Sequence, residues 1–261
     1  MNRTKALLKD IAAIKEQSPL IHNITNFVVM NNTANALLAL GASPVMAHAK
    51  EEVSEMTSLA SALVLNMGTL SPLWIDAMVL AGKTASVKGT PIVLDPVGVG
   101  ATSYRTQSCK QLIKECKPTI IRGNASEIRA LIELDVSTKG VDSTDSSESA
   151  VDSAKKLALQ TGAIVSVSGE VDYITDGIEV NEVVGGDALM ELVTGMGCTA
   201  SALTAAFIAV NPDKLTAATH AMELMSRLGS YAAKQANGPG TLQLHFIDSL
   251  YRAVEILNEE V

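Results

Sequence analysis

The stretch "PLIHNITNFVVMNNTANALLALG", residues 19–41, changes its period partway along. Residues 19–25 form a short, mostly apolar run that opens on a proline, which reads as a strand. Beyond it, Val29, Asn32, Thr33, Ala36, Leu37 and Leu40 recur at helical spacing, and Gly41 stands where a glycine suits the residue just past a helix C-terminus. The alternation then repeats, with further short apolar runs at 43–47, 62–68, 91–96, 119–123 and 163–169 separated by helical patterns. Strands that are apolar throughout, rather than at every second residue, are buried on both faces. The sequence therefore predicts an α/β fold with a mostly parallel central sheet covered by helices on both faces.

Two regions depart from that rhythm. Residues 169–183, "GEVDYITDGIEVNEV", are two β-rich pieces around Asp176-Gly177, a dipeptide suited to a tight turn, and predict a small antiparallel addition at the sheet edge. From Thr194 onward the pattern is helical: an uncharged run at 196–210 predicts a central helix, and 213–236 and 241–260 predict two amphipathic ones. Residues 135–149 are Ser/Asp-rich and read as a solvated loop. With no internal repeat and no linker composition, residues 1–261 read as one domain.

Composition excludes several function classes. Hydrophobic residues make up 47% of the 261, enough for a large core, and the net charge of −8 argues against a phosphate-tracking nucleic-acid surface. No Asp, Glu, Lys or Arg occurs between Glu16 and Lys50, yet Asn23, Asn26, Asn31, Asn32, Asn35, Pro19 and Pro44 make a bilayer span untenable, so this stretch reads as buried interior. The uncharged run 196–210 is shorter than the roughly 20 residues a span needs. Cys109, Cys116 and Cys198 form neither an even set nor a metal-binding spacing, and no secretory core opens the chain. A reducing, cytoplasmic setting is the expectation.

Ligands of open parallel sheets bind beyond the carboxyl ends of the strands. Those positions are Asn26 after the first run, Met46 at the end of the second, Gly68 after the third, Asp95 after the fourth, Arg122 and Glu127 after the fifth, and Ser168 after the sixth. Each also has a plain reading: Asp95 before Pro96 as a turn former, Arg122 as a surface cation, Glu127 as an acid favoured near a helix N-terminus. In "TGMGCTASA", 194–202, Gly195 and Gly197 allow a tight turn and close backbone approach just where an apolar run begins. A helix starting there would offer free N–H groups to an anion, although the motif lacks the lysine and the glycine spacing of a Walker A loop.

These residues, together with "HNITNFVVMNNTANALLALGASPVMAHAKEE" (22–52), "LVLNMGTL" (63–70), "LDPVGVGAT" (94–102), "IRGNASEI" (121–128), "SGEVD" (168–172) and "TGMGCTAS" (194–201), resemble the hydroxyethylthiazole kinase family of the ribokinase-like superfamily, over nearly the whole chain. The resemblance implies a ribokinase-like fold and phosphorylation of the primary alcohol of 5-(2-hydroxyethyl)-4-methylthiazole by ATP with Mg²⁺, in thiamine salvage. It implies that Asn26, Met46, Gly68 and Gly195 line the thiazole pocket, and that Arg122 and Ser168 contact ATP phosphates. Asp95 and Glu127 are implied to hold Mg²⁺ directly or through water, and Gly195, Gly197 and Cys198 to form the catalytic turn. It further implies a homotrimer with sites between subunits, to which the uncharged surface around 26–46 could contribute.

Relatives across the superfamily usually carry aspartate, the base for the substrate hydroxyl, where this chain has Cys198. A thiol has a pKa near ~8.5, which a helix N-terminus lowers and neighbouring phosphate raises. In a loose phosphoryl-transfer transition state the attacking hydroxyl is still largely protonated. Cys198 is accordingly expected to position the alcohol and to be at most a modest base. Competing readings are a hydroxymethylpyrimidine or pyridoxal kinase, a nucleotide-dependent dehydratase, a non-enzymatic thiazole binder, and a Cys/His hydrolase using His22, His48, His220 or His245. The aspartate usual in the first group, the needless metal–phosphate residues of a binder and the missing hydrolase signature weigh against them.

Overall fold

The computed structural model describes residues 3–133 and 147–259. The order runs α1 (Arg3–Gln17), β1 (Leu20–Ile24), α2 (Met30–Leu40), β2 (Ser43–Val45), α3 (Val53–Leu59), β3 (Ala62–Asn66), α4 (Pro72–Lys88), β4 (Ile92–Asp95), α5 (Ser103–Cys116), β5 (Ile120–Asn124) and α6 (Ala125–Glu133). After the undescribed segment come α7 (Ser147–Thr161), β6 (Ile164–Ser168), β7 (Val171–Thr175), β8 (Val180–Val184), a short 3-10 helix (Ala188–Leu192), α8 (Met196–Val210), α9 (Lys214–Ala233), α10 (Pro239–Tyr251) and α11 (Ala253–Asn258).

Among the described residues, eight strands form one sheet in the order β2-β1-β3-β4-β5-β6-β7-β8. The first six are parallel, and β7 and β8 add antiparallel at one edge, as predicted. Alternate residues of each strand feed two separate cores. Ile21, Val64, Val93 and Ile120 meet the face covered by α1, α2 and α8 to α11, while Ile24, Leu65, Leu94 and Ile121 meet the face covered by α3 to α7. That two-sided burial is why the strands read as unbroken apolar runs. α8 is the innermost helix, with every residue from Thr199 to Ile208 buried, which explains its lack of charge.

The structure corrects four local expectations. The turn at Asp176-Gly177 is a four-residue loop, since Thr175 pairs with Val180; Asp176 Oδ1 accepts from the N–H groups of both Ile178 and Glu179 (2.8 Å each), and Gly177 takes φ +100°. The single helix expected over 241–260 is two helices, with Arg252 leaving helical geometry so that Ala253, Ile256 and Leu257 bury in the core with α1. The uncharged stretch before Lys50 is not wholly interior: Phe27, Val28 and Leu38 are 65%, 63% and 59% exposed. Of the stretch 135–149, positions 135–146 lie outside the described residues, and 147–149 already belong to α7.

Among the described residues no helix is long and apolar enough to cross a membrane. All three cysteines are free. β2 is a three-residue edge strand with Pro44 at its centre, paired opposite Ile21.

Candidate active site

Neighbouring strands β2 and β3 leave β1 in opposite directions, so the sheet reverses its winding at β1 and opens a crevice at the carboxyl ends. The residues predicted from strand ends converge there. Asn26 follows β1, Gly68 follows β3, Asp95 ends β4, Arg122 lies within β5, and Ser168 ends β6 opposite Asn124. Ser168 Oγ is 3.5 Å from the Gly123 carbonyl. Met46 lies just past β2, and the next peptide is pinned from below: buried His22 donates from Nε2 to the Ala47 carbonyl (2.7 Å), with Nδ1 3.0 Å from Thr57 Oγ1. Burial lowers the pKa of His22, and with both ring nitrogens engaged it serves structure.

The centre of the site is a side chain the strand-end reading passed over. Asn66, the last residue of β3, accepts at Oδ1 from Asn26 Nδ2 (2.8 Å) and from the Gly68 N–H (3.0 Å). Its Nδ2 donates to Asp95 Oδ2 (2.7 Å), which also accepts from Ser201 Oγ in the second turn of α8 (2.8 Å). Asn26 Nδ2 also donates to Cys198 Sγ (3.4 Å). The cysteine, two asparagines, the aspartate and a serine thus form one connected set. Gly68 has no room for a side chain, since a Cβ would sit within 2.6 Å of the Asn26 side chain.

α8 begins at the glycines as expected. Gly195 caps it at φ +86°, a left-handed conformation that suits glycine, and a Cβ there would meet Val29 Cγ1 at 2.6 Å. Thr199 makes the first i→i−4 bond, to the Gly195 carbonyl (2.8 Å), so the N–H groups of Gly197 and Cys198 precede the helical ladder. A Cβ on Gly197 would lie 2.8 Å from Arg122 Nη1. The helix N-terminus and the guanidinium therefore face one small volume. Arg122 is 8% exposed and its Nε has no hydrogen-bond partner among the described residues.

The electrostatics follow from burial. Asp95, 2% exposed, is pushed up to about 6, mainly by desolvation and further by Glu127, while Arg122, Ser201 and Asn66 oppose the rise. Burial and then Asp95 push the Cys198 thiol up to about 11, against the hydrogen bonds from Asn66 and Asn26 and the charge of Arg122. Asp172, on β7, is raised to about 6 by burial, although it accepts from the Gly169 N–H (3.0 Å) and feels Arg122.

Glu127 is the acid near a helix N-terminus that its plain reading expects. Its backbone N–H donates to Asn124 Oδ1 (2.9 Å) while its Oε2 accepts from the Asn124 N–H (2.9 Å), a reciprocal helix cap. Its Oε1 accepts from the Gly98 N–H (2.8 Å), which fixes the loop after Asp95. That loop is held from the other side by Arg105, which donates to the carbonyls of Met67 (2.5 Å), Val97 (2.7 Å) and Gly68 (2.8 Å). Arg105 carried no strand-end signal, because it sits in the first turn of α5.

Among the described residues, no three His, Cys, Asp or Glu side chains converge as a metal cage. Two carboxylates with hard oxygen donors, Asp95 and Glu127, suit Mg²⁺, which keeps several waters and shares its coordination with phosphates. The donor chemistry fits that ion and fits a thiolate-seeking metal poorly. None of the four histidines hydrogen-bonds Cys198 among the described residues: His22 and His220 are bonded within the fold, His48 stacks on Trp74 at 4.6 Å, and His245 is on α10. The donors to Cys198 are Asn26 and Asn66, and an amide cannot serve as the base the hydrolase reading needs.

Comparison with known proteins agrees with this constellation. The hydroxyethylthiazole kinase family model matches residues 11–255. A hydroxyethylthiazole kinase of Syntrophus aciditrophicus is 55% identical over 246 residues, covering 94% of this chain and 91% of that one. The structure of the hydroxyethylthiazole kinase protein of Pyrococcus horikoshii superposes with a TM-score of 0.88 at 43% identity, covering 95% and 93% of the two chains. Pyridoxal kinase from Staphylococcus aureus, solved with AMP-PCP, shares the ribokinase-like fold at a TM-score of 0.62 and 16% identity, over 81% and 87%. With the match running through both cores and every strand end of the crevice, this chain belongs to the hydroxyethylthiazole kinase family.

Proposed function

We propose that the crevice transfers the terminal phosphoryl group of ATP to the hydroxyethyl group of 5-(2-hydroxyethyl)-4-methylthiazole, giving the thiazole phosphate and ADP for thiamine salvage in the cytoplasm, with the chain acting as a single kinase domain. The observation that carries this reading is the convergence of the α8 N-terminus on Arg122, with Gly197 too close to Nη1 for any side chain. Phosphoryl transfer asks little covalent chemistry of a protein; it needs the acceptor aligned and the charge of the moving group matched by fixed donors. In this reading the Gly197 and Cys198 N–H groups and Arg122 meet the transferring group, and Ser168 meets the nucleotide phosphates. Asn26, Gly68, Gly195 and the backbone at Met46 enclose the thiazole. Asp95 and Glu127 would hold Mg²⁺, Glu127 through water because both its oxygens already accept backbone N–H bonds. Mg²⁺ would neutralise phosphate charge.

The acceptor oxygen forms its bond to phosphorus as the bond to the ADP oxygen breaks. Cys198, raised to about 11, holds its proton at neutral pH. It orients the hydroxyl, and the alcohol proton leaves late, to the transferred group or water. The exposed Phe27 and Val28 lie one and two residues from Asn26, and Phe27 packs at 5.0 Å on Trp74, beside exposed Leu73. This apolar rim at the crevice supports a homotrimer in which a neighbouring subunit covers the site and keeps water out.

A coupled assay of ADP release tests the reaction. Release dependent on the thiazole alcohol supports it; release with pyridoxal or hydroxymethylpyrimidine and none with the thiazole overturns it. Light scattering showing a fully active monomer would overturn the trimer.

A further inference from the structure

We infer that Asn66 is a positioning residue that couples the alcohol pocket to the metal–nucleotide side of the crevice, so that each ligand tightens the binding of the other. This rests on the reaction proposed above. The planar amide of Asn66 has one hydrogen-bonded neighbour set on each side. Its oxygen holds Asn26 (2.8 Å) and the Gly68 N–H (3.0 Å), both on the alcohol side; its nitrogen holds Asp95 Oδ2 (2.7 Å) on the other and also donates toward the Cys198 thiol. The orientation of the amide is fixed by chemistry, because the Gly68 N–H can only donate and the atom facing it must be the oxygen.

An amide turns as one body. Any tilt that improves the bond to Asp95 moves the oxygen against Asn26 and Gly68, and Asn26 in turn carries Cys198. Asn66 is 1% exposed and packed in the sheet, so water cannot take over either set of bonds. A ligand that immobilises Asp95 therefore orders Asn66, and through it Asn26, before the alcohol arrives, and the alcohol then loses less freedom on binding. Reciprocity requires the alcohol to tighten the metal–nucleotide complex by the same factor. Ser201 provides an internal control. It donates to the same Asp95 oxygen (2.8 Å), but its other bond, at 3.4 Å, is to the Gly197 carbonyl within α8 and not to Asn26 or Gly68.

The test is calorimetric titration of the thiazole alcohol into the full-length protein, with and without saturating Mg²⁺ and AMP-PCP, for wild type, Asn66→Ala and Ser201→Ala. The wild type is expected to bind the alcohol about 5- to 150-fold more tightly in the presence of the analogue, the usual span of such coupling. Asn66→Ala is expected to bring that ratio close to one, and Ser201→Ala to keep it. If Asn66→Ala fails to fold, Asn66→Ser, too short to span both bond sets, takes its place. A ratio retained in the Asn66 variant, a ratio lost equally in Ser201→Ala, or a wild-type ratio of one each overturns the coupling. Wild type that neither binds nor phosphorylates the thiazole alcohol overturns the assigned reaction instead.

Discussion

Two buried polar clusters occupy opposite ends of α8 and differ in what they leave over. Beyond its C-terminus, Asn211 Nδ2 and His220 Nδ1 both donate to Asp10 Oδ2 at 2.7 Å, and the His220 ring meets the edge of Phe207. At its N-terminus, Asn26, Asn66, Asp95, Ser201 and Arg122 gather in the crevice. Burial does not distinguish them: Asp10 and His220 are 8% and 3% exposed, Arg122 and Asp95 8% and 2%. The distinction is completeness. The first cluster spends its bonds tying α1 to α8 and α9, whereas the second keeps an unpartnered guanidinium nitrogen and a carboxyl pushed up to about 6. Bonding capacity withheld from the fold is capacity available to a ligand.

Asp95→Asn attacks that contrast at its strongest point. We expect kcat/KM to fall by at least about 10³-fold, the upper end for one preorganised electrostatic group. Stability should move the other way. The folded carboxyl keeps its proton up to about pH 6 while an unfolded one releases it near 3.8, so the unliganded protein loses stability as pH rises between those values. Asp95 accounts for about 3 kcal/mol of that loss at neutral pH. Asp95→Asn removes this part of the slope, leaves the part from Asp172, and raises the Tm at pH 7; thermal melts from pH 4 to 8 read both effects. A lower Tm at pH 7 would make the two clusters alike.

Arg122→Met should cost about 10²-fold in kcat/KM, the lower end for a lost charge-stabilising donor, with little change in Tm because the guanidinium is not fully bonded in the fold. Cys198→Ala should cost less than about 10²-fold, the lower limit of general-base contributions, and Cys198→Asp should be at least as active as the wild type. A loss approaching ~10⁴-fold in Cys198→Ala would instead make the thiol an essential base. With the thiol raised to about 11, the kcat profile should show no cysteine limb between pH 6 and 9. Asp10→Ala is the smallest in activity and the reverse in stability: unchanged kcat/KM, but a loss of about 1–3 kcal/mol in denaturant titration from stranded donors.

Most of the sheet was legible because its strands are buried on both sides and carry little else. The strand-end rule then reached Asn26, Asp95 and Arg122, and the glycine pattern reached the Gly195–Gly197 turn, without either giving their order in space. It missed Asn66, Ser201 and Arg105 for a common reason. Their significance lies in adjacency, and adjacency depends on β1 sitting beside β3 and on α8 threading behind β4, which no local pattern encodes. Asn66 did leave a trace, as the single polar residue in the apolar run "ALVLNM" at 62–67. Glu127 shows the opposite limit: its place near a helix N-terminus was legible, while its bond to the Gly98 N–H was not.

The shortness of β2 has a consequence for how copies of this chain would meet in the proposed homotrimer. Pro44 removes an amide hydrogen from the middle of a three-residue edge, so the outer strand is a poor template for adding another strand. In the proposed homotrimer, contact at that end falls to side chains such as Phe27, Val28 and Leu73. Backbone pairing, which has no natural stopping point, is blocked there by a single imino acid.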